Sequence, residues 1–194
     1  MIHYSPDDGL DLEYMPNGDL RQRLRDVATT DVAVTQRLQW ACDAAEGLQL
    51  LHSYGIIHCD VNPENFLLDS TLRLRIIDFS GSSIDGKWAS AFERIRFCLP
   101  RPWEDQSTVE TDLFALGSTI YEIMTGKQPY EHVPDREVED RYKHHIFPSV
   151  EAIPCGGVIR GCWHGEFKSA FEAMTLIKDE MEKASSFFVI ENNM

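Results

Sequence analysis

Apolar residues in the stretch 35–54 recur at steps of three and four: Leu38, Ala41, Ala44, Ala45, Leu48 and Leu51. That spacing lines one face of a helix, so a buried amphipathic helix is expected there, with Gly55 placed to cap its C-terminus. The stretch 111–126 is mostly apolar and is expected to be a helix buried on most sides. Between these helices, Phe66-Leu67-Leu68 and the stretch 72–77 read as two strands joined by the polar turn Asp69-Ser70-Thr71. Upstream, the stretch 10–14 reads as a further strand, ended by the breaker Pro16-Asn17-Gly18. The pattern is that of an α+β, mainly α-helical chain.

With 194 residues, 43% hydrophobic and 26% charged, the chain suffices for one sizeable core of ordinary globular composition. No apolar run approaches the length of a membrane span. The N-terminus, with His3, Asp7 and Asp8 soon after Met1, does not read as a signal peptide. Five scattered cysteines without zinc spacing suggest reduced thiols, and with them an intracellular location, cytoplasmic or nuclear. A net charge of −14 argues against nucleic acid or an anionic membrane as a nonspecific partner. His144-His145 invites a metal reading, but adjacent helical positions diverge by about a hundred degrees and no partner lies at an established spacing, so a surface pair is expected.

Chemistry concentrates in two short segments. The first reads Ile56-Ile57-His58-Cys59-Asp60-Val61-Asn62-Pro63-Glu64-Asn65, and the second Ile76-Ile77-Asp78-Phe79-Ser80-Gly81. An aspartate, an asparagine five residues on and a second aspartate after a hairpin resemble the catalytic loop and metal-binding turn of protein kinases, at the offsets phosphoryl transfer requires. The resemblance implies that Asp60 is the catalytic base and that Asn65 and Asp78 hold Mg²⁺. It further implies ATP contacts from the Glu13 carbonyl, the Met15 amide, Asp19 at the ribose, and Leu67 and Asn62, with Leu12 as gatekeeper. His58 is expected beneath Phe79. Asp112, also an N-terminal acid of its helix, is expected to accept backbone N–H groups of the catalytic loop. Arg101-Pro102-Trp103-Glu104 stands where the family has Ala-Pro-Glu. Gly161-Cys162-Trp163-His164 resembles the helical segment whose neighbouring arginine pairs with that glutamate, which makes Lys168 the candidate partner of Glu104.

By the same resemblance, residues 1–14 correspond to a remnant of the small lobe and hinge, 15–184 to the large lobe and 185–194 to a C-terminal tail. The glycine-rich loop and strand lysine of the family do not occur in the sequence, and unpaired strand edges are expected around Ile2, Leu10 and Leu12. Cys59 replaces the arginine that reads an activation-loop phosphate, Asn62 replaces a lysine on the transferred phosphate, and Ser80 replaces a glycine. Two functions stay open. One is a protein kinase acting on Ser or Thr of protein substrates; the other is a catalytically impaired, pseudokinase-like module that binds a partner protein.

Overall fold

A computed structural model describes residues 3–5, 9–26 and 31–191. In chain order the elements are β1 (His3–Ser5), β2 (Gly9–Asp11), α1 (Leu20–Asp26), α2 (Val34–Ser53), β3 (Ile56–Ile57), β4 (Phe66–Leu68), β5 (Leu74–Ile76), β6 (Ser83–Ile84), α3 (Val109–Thr125), α4 (Asp135–Lys143), α5 (Gly156–Trp163) and α6 (Ala170–Glu191). About 49% of the chain is helical, so the α+β, mainly helical reading holds. Among the described residues no helix is long and apolar enough to cross a membrane.

The centre of the fold is α3, buried along nearly its whole length as its apolar sequence requires. It begins two residues earlier than the apolar run suggests, because Thr108 and Thr111 form a reciprocal cap in which the Thr108 N–H donates to Thr111 Oγ1 at 3.0 Å. It ends where Gly126, at φ 74°, turns its N–H onto the Glu122 carbonyl at 2.8 Å. Helices α2 and α5 pack on α3, and α6 packs on α2. The predicted apolar face of α2 is the buried one: Leu38, Ala41, Ala44, Ala45 and Leu48 are in the core, with Leu51 at its margin. Gly117 lets α3 and α5 approach closely, since a Cβ there would lie 2.6 Å from Cys162 Cβ. Trp163 closes the crossing by donating Nε1–H to Ser118 Oγ at 3.0 Å.

Three two-stranded antiparallel sheets complete the fold: β1–β2, β3–β6 and β4–β5. Near the N-terminus β1 folds back on β2 and places Tyr4 opposite Leu10, so each strand of this two-stranded sheet is paired on one side and keeps one outer edge without a strand partner among the described residues. Leu12 is exposed, and Ile2 lies outside the described residues. The predicted hairpin forms with Phe66 opposite Ile76 and Leu68 opposite Leu74. Its second strand is shorter than the stretch 72–77, because Asp69 holds the turn open to Arg73: Asp69 Oδ1 accepts from Thr71 N, Thr71 Oγ1 and Arg73 N at 2.7 to 3.0 Å. Helix α6 continues through 185–191, the segment read as a tail.

Candidate functional site

The segment 58–65 hangs between the end of α2 and the β4–β5 hairpin, and buried groups fix both of its ends. After α2, Gly55 takes φ 70° and starts β3, which delivers His58. Asp112, fully buried in the first turn of α3, accepts the N–H groups of His58 and Cys59 at 2.8 and 3.0 Å, and a third bond from His52 Nε2 at 3.0 Å. The role expected for Asp112 is the one found. The His58 ring is oriented from both sides: Nε2 donates to the Ile77 carbonyl at 2.9 Å and Nδ1 accepts the Asp60 N–H at 3.3 Å, which assigns the neutral tautomer. Phe79 packs on this ring at 5.8 Å, edge to face, as expected. Cys59 is buried and held at φ 70°, and Asp78 at φ 62°. Left-handed backbone at non-glycine residues costs of order 1–3 kcal/mol and persists only where the surroundings impose it. One of these strained residues directly precedes the Asp60 carboxylate, and the other carries the Asp78 carboxylate.

Asp60 is half-buried, and its two oxygens are each gripped by an amide. Asn65 Nδ2 donates to Oδ2 at 2.9 Å and Asn62 Nδ2 to Oδ1 at 3.1 Å, and both amides also reach the Asp60 backbone carbonyl. Burial raises the Asp60 pKa above the ordinary value; the Asn65 bond and then the nearby Arg94 charge oppose that rise. Asn62 is fully buried, and its Oδ1 caps the short 3₁₀ turn 63–65 by accepting the Glu64 N–H at 3.0 Å. Its amide is thus spent on the loop.

Asp78 comes to the same place by way of Ile77. The Ile77 N–H donates to the Asn65 carbonyl at 3.0 Å while its own carbonyl holds His58, so the next residue leaves from the floor of the loop. The Asp78 side chain is exposed, and its pKa is lowered by the Ser80 hydroxyl, which donates at 2.7 Å. On the other flank, Asp19 and Leu67 are joined by a backbone bridge, and Leu68 N donates to the Gly18 carbonyl at 2.9 Å. Asp19 also caps α1 through Gln22 N at 2.9 Å. Glu13, exposed, and Met15, half-buried, lie on the segment 12–18 that this bridging ties to β4. One sheet edge and one loop therefore carry Asp19, Leu67, Asp60, Asn62, Asn65 and Asp78.

Several participants were not marked by sequence reasoning. Arg21 of α1 makes paired bonds to Glu122 of α3, at 3.0 and 3.1 Å, and donates to Glu64 Oε1 at 2.7 Å. The other Glu64 oxygen takes Arg94 at 2.5 Å. The two arginines lower the Glu64 pKa to about 2, Arg94 contributing the larger hydrogen-bond effect. In sequence the only hint was a Glu between two asparagines; the arginines come from 43 positions upstream and 30 downstream.

The pair expected between Glu104 and Lys168 does not form. Both side chains are exposed, because 102–105 is a surface turn closed by Asp105 N on the Pro102 carbonyl. The buried ion pair of this region is Glu93 with Arg101, at 2.8 Å, completed by Ser107. His144 and His145 are exposed, and among the described residues no cluster of His, Cys, Asp and Glu could hold a metal by itself.

Comparison with known proteins agrees with this geometry. The family model described as the protein kinase domain matches residues 5–183. The chain is 30% identical over 143 residues to calmodulin-binding receptor-like cytoplasmic kinase 3 of Arabidopsis thaliana, covering 67% of this chain and 28% of that protein. It is 32% identical over 125 residues to the serine/threonine-protein kinase A-Raf of Mus musculus, covering 57% and 20%. With the serine/threonine/tyrosine-protein kinase HT1 of Arabidopsis thaliana it shares 24% over 159 residues, covering 78% and 41%. The chain therefore spans between a fifth and about two fifths of the length of these relatives.

Proposed function

This chain belongs to the protein kinase domain family, and on that premise we propose that its site transfers the terminal phosphoryl group of ATP to a serine or threonine hydroxyl of a protein substrate. The observation that carries the proposal is Asp60, a half-buried carboxylate gripped by two amides at the mouth of the loop that also anchors Asp78. Asp60 accepts the hydroxyl proton as that oxygen bonds to the terminal phosphorus and the bond from phosphorus to the bridging oxygen breaks, leaving ADP.

The donor set fits Mg²⁺. Asn65 turns its NH₂ onto Asp60, which leaves its side-chain carbonyl oxygen without a hydrogen bond among the described residues, and Asp78 is an exposed carboxylate whose pKa is lowered by Ser80; hard oxygens of this kind are what the ion takes. Asn65 and Asp78 would hold the ion, which would supply positive charge to the phosphate oxygens. In this reading Glu13 and Met15 offer backbone groups to the adenine, Leu67 lies under the ring and Asp19 faces the ribose. Asn62 positions Asp60 instead of meeting the nucleotide, since its side chain is buried and its amide engaged. The proposed layout keeps 1–14 as small-lobe and hinge, with the large lobe following.

The test is titration of the chain with ATP, with and without Mg²⁺, alongside radiolabel transfer to a Ser/Thr protein substrate. Micromolar, Mg²⁺-dependent binding with transfer supports the proposal. Affinity at millimolar levels or weaker would move the chain to the second reading, a non-catalytic module that binds a partner protein, which the buried amide at position 62 favours.

A further inference from the structure

The loop that holds Asp60 is electrically unusual for a site that handles phosphate. From Asp60 to Asn65 it carries two carboxylates and no cation, and Asn62 is folded under Asp60 with no donor left for the cleft. A phosphoryl group in transfer spreads negative charge over its peripheral oxygens and is stabilised by fixed positive charge beside them. In a chain of net charge −14, any fixed positive charge that complements Mg²⁺ at the site comes from individual residues and not from a basic surface.

Arg94 is the candidate the geometry provides. It precedes the 3₁₀ turn 95–97 and reaches back over 30 positions to Glu64, two residues beyond Asn62, with Nη2 at 2.5 Å from Oε2. Its side chain is 46% exposed, and its Nε and Nη1 make no hydrogen bond among the described residues. Of the charged groups that act on Asp60, Arg94 acts most strongly.

The pair is also releasable. Its members are 46% and 39% exposed, and exposed pairs of this kind contribute little. When Arg94 turns away, Glu64 keeps Arg21, which is almost fully buried and is itself fixed by Glu122. Glu64 is never left as an unpaired carboxylate, so moving the Arg94 guanidinium onto a phosphate strands no charge.

Resting on the kinase reading of the site, we propose that Arg94 supplies the cation for the terminal phosphate of a bound nucleoside triphosphate, the place that residue 62 does not fill. Arg94 rests on Glu64 in the free chain and moves to the phosphate when the nucleotide binds. Its planar fork offers two parallel donors to phosphate oxygens, which a lysine cannot match.

The test compares Mg-ATP with Mg-ADP, which lacks the terminal phosphate, by calorimetric titration of the parent, Arg94→Met and Arg94→Lys. Arg94→Met should weaken Mg-ATP by roughly ten-fold and leave Mg-ADP within about two-fold, while Arg94→Lys recovers part of the loss. Circular dichroism melts of the three proteins separate this from unfolding. Equal losses for both nucleotides, or none for either, overturn the assignment while the kinase reading stands. A parent that binds neither nucleotide removes the kinase reading and this assignment with it.

Discussion

Arg101 lays Nη2 across both oxygens of Glu93, at 2.8 and 3.2 Å, inside a single loop and out of solvent. The Glu93 carboxylate is 0% exposed and Arg101 13% exposed, and Ser107 bonds to both. This pair, rather than one between Glu104 and Lys168, ties the end of the segment 93–107 to itself. Breaking a buried pair from one side costs about 3–5 kcal/mol, because the remaining charge has no partner. Arg101→Ala should therefore be strongly destabilising in urea melts, whereas Lys168→Ala and Glu104→Ala, both at exposed positions, should fall within about 0.5 kcal/mol of the parent. A large effect at Lys168 with none at Arg101 would reverse the assignment.

Asp60→Asn removes the proposed base and keeps nearly the same shape. Turnover should fall by roughly a hundred- to ten-thousand-fold in a radiolabel transfer assay. The melting midpoint should change little, because Asn62 and Asn65 retain their bonds to the backbone carbonyl of residue 60. A fully active variant would show that the proton goes elsewhere.

The same carboxyl sets a pH dependence. Burial raises the Asp60 pKa, so the ionised base is lost at a higher pH than an ordinary aspartate near 4. Arg94 opposes that rise, and Arg94→Met takes the opposing charge away. The acid limb of kcat/KM against pH should therefore move to higher pH in Arg94→Met than in the parent. A limb that stays in place, or moves down, contradicts the electrostatic link between the two residues.

Sequence and structure agree most closely where a pattern is local. The apolar period of α2, the largely apolar stretch of α3 and the polar turn after Leu68 each specify their element with neighbouring residues alone. The spacing of Asp60, Asn65 and Asp78 was legible for the same reason, since one loop and one hairpin carry all three. The partners were not. Glu122 meets Arg21 across 101 positions and Glu64 meets Arg94 across 30, and no local signal distinguishes these from solvated charges. Glu104 misled because its neighbours match a motif, while the buried carboxylate lies eleven residues earlier at Glu93. Asn62 is a different case: its place in the motif implies a phosphate contact, and in the structure its short amide, two residues after Asp60, bonds back to that carboxylate.

Glu64 gives a stability test with a definite sign. Its pKa is lowered from 4.5 to about 2 by Arg94 and Arg21. A depressed carboxyl pKa contributes stability that is fully present above the unfolded value and is lost as pH falls through the folded one. The parent should be more stable than Glu64→Gln at pH 6, and the difference should shrink between about pH 4.5 and 2. Because the carboxylate is 39% exposed, the difference at pH 6 is expected to be modest, about 1 kcal/mol. Urea melts of both proteins at pH 6, 4 and 2.5 measure it; a difference that grows on acidification would be inconsistent with the pairing.

Two helical glycines should respond to alanine in opposite directions. In a helix, glycine is less favourable than alanine by roughly 0.5–1 kcal/mol, so Gly→Ala stabilises wherever a methyl group has room. At Gly157 of α5 an added Cβ meets nothing within 4 Å, and Gly157→Ala should raise stability by a few tenths of a kcal/mol up to about one. At Gly117 of α3 the same methyl would sit 2.6 Å from Cys162 Cβ and 3.2 Å from the Ile159 carbonyl oxygen. Those atoms belong to α5 and its backbone, not to the end of a flexible side chain, so the two helices have to separate. Overpacking of that kind costs about 1–3 kcal/mol, which exceeds the propensity gain. Gly117→Ala should therefore destabilise, and Cys162→Ala keeps a Cβ at the same place, so the double variant should not recover the loss. Thermal melts that show Gly117→Ala and Gly157→Ala stabilising to the same extent would mean that α3 and α5 do not cross at Gly117.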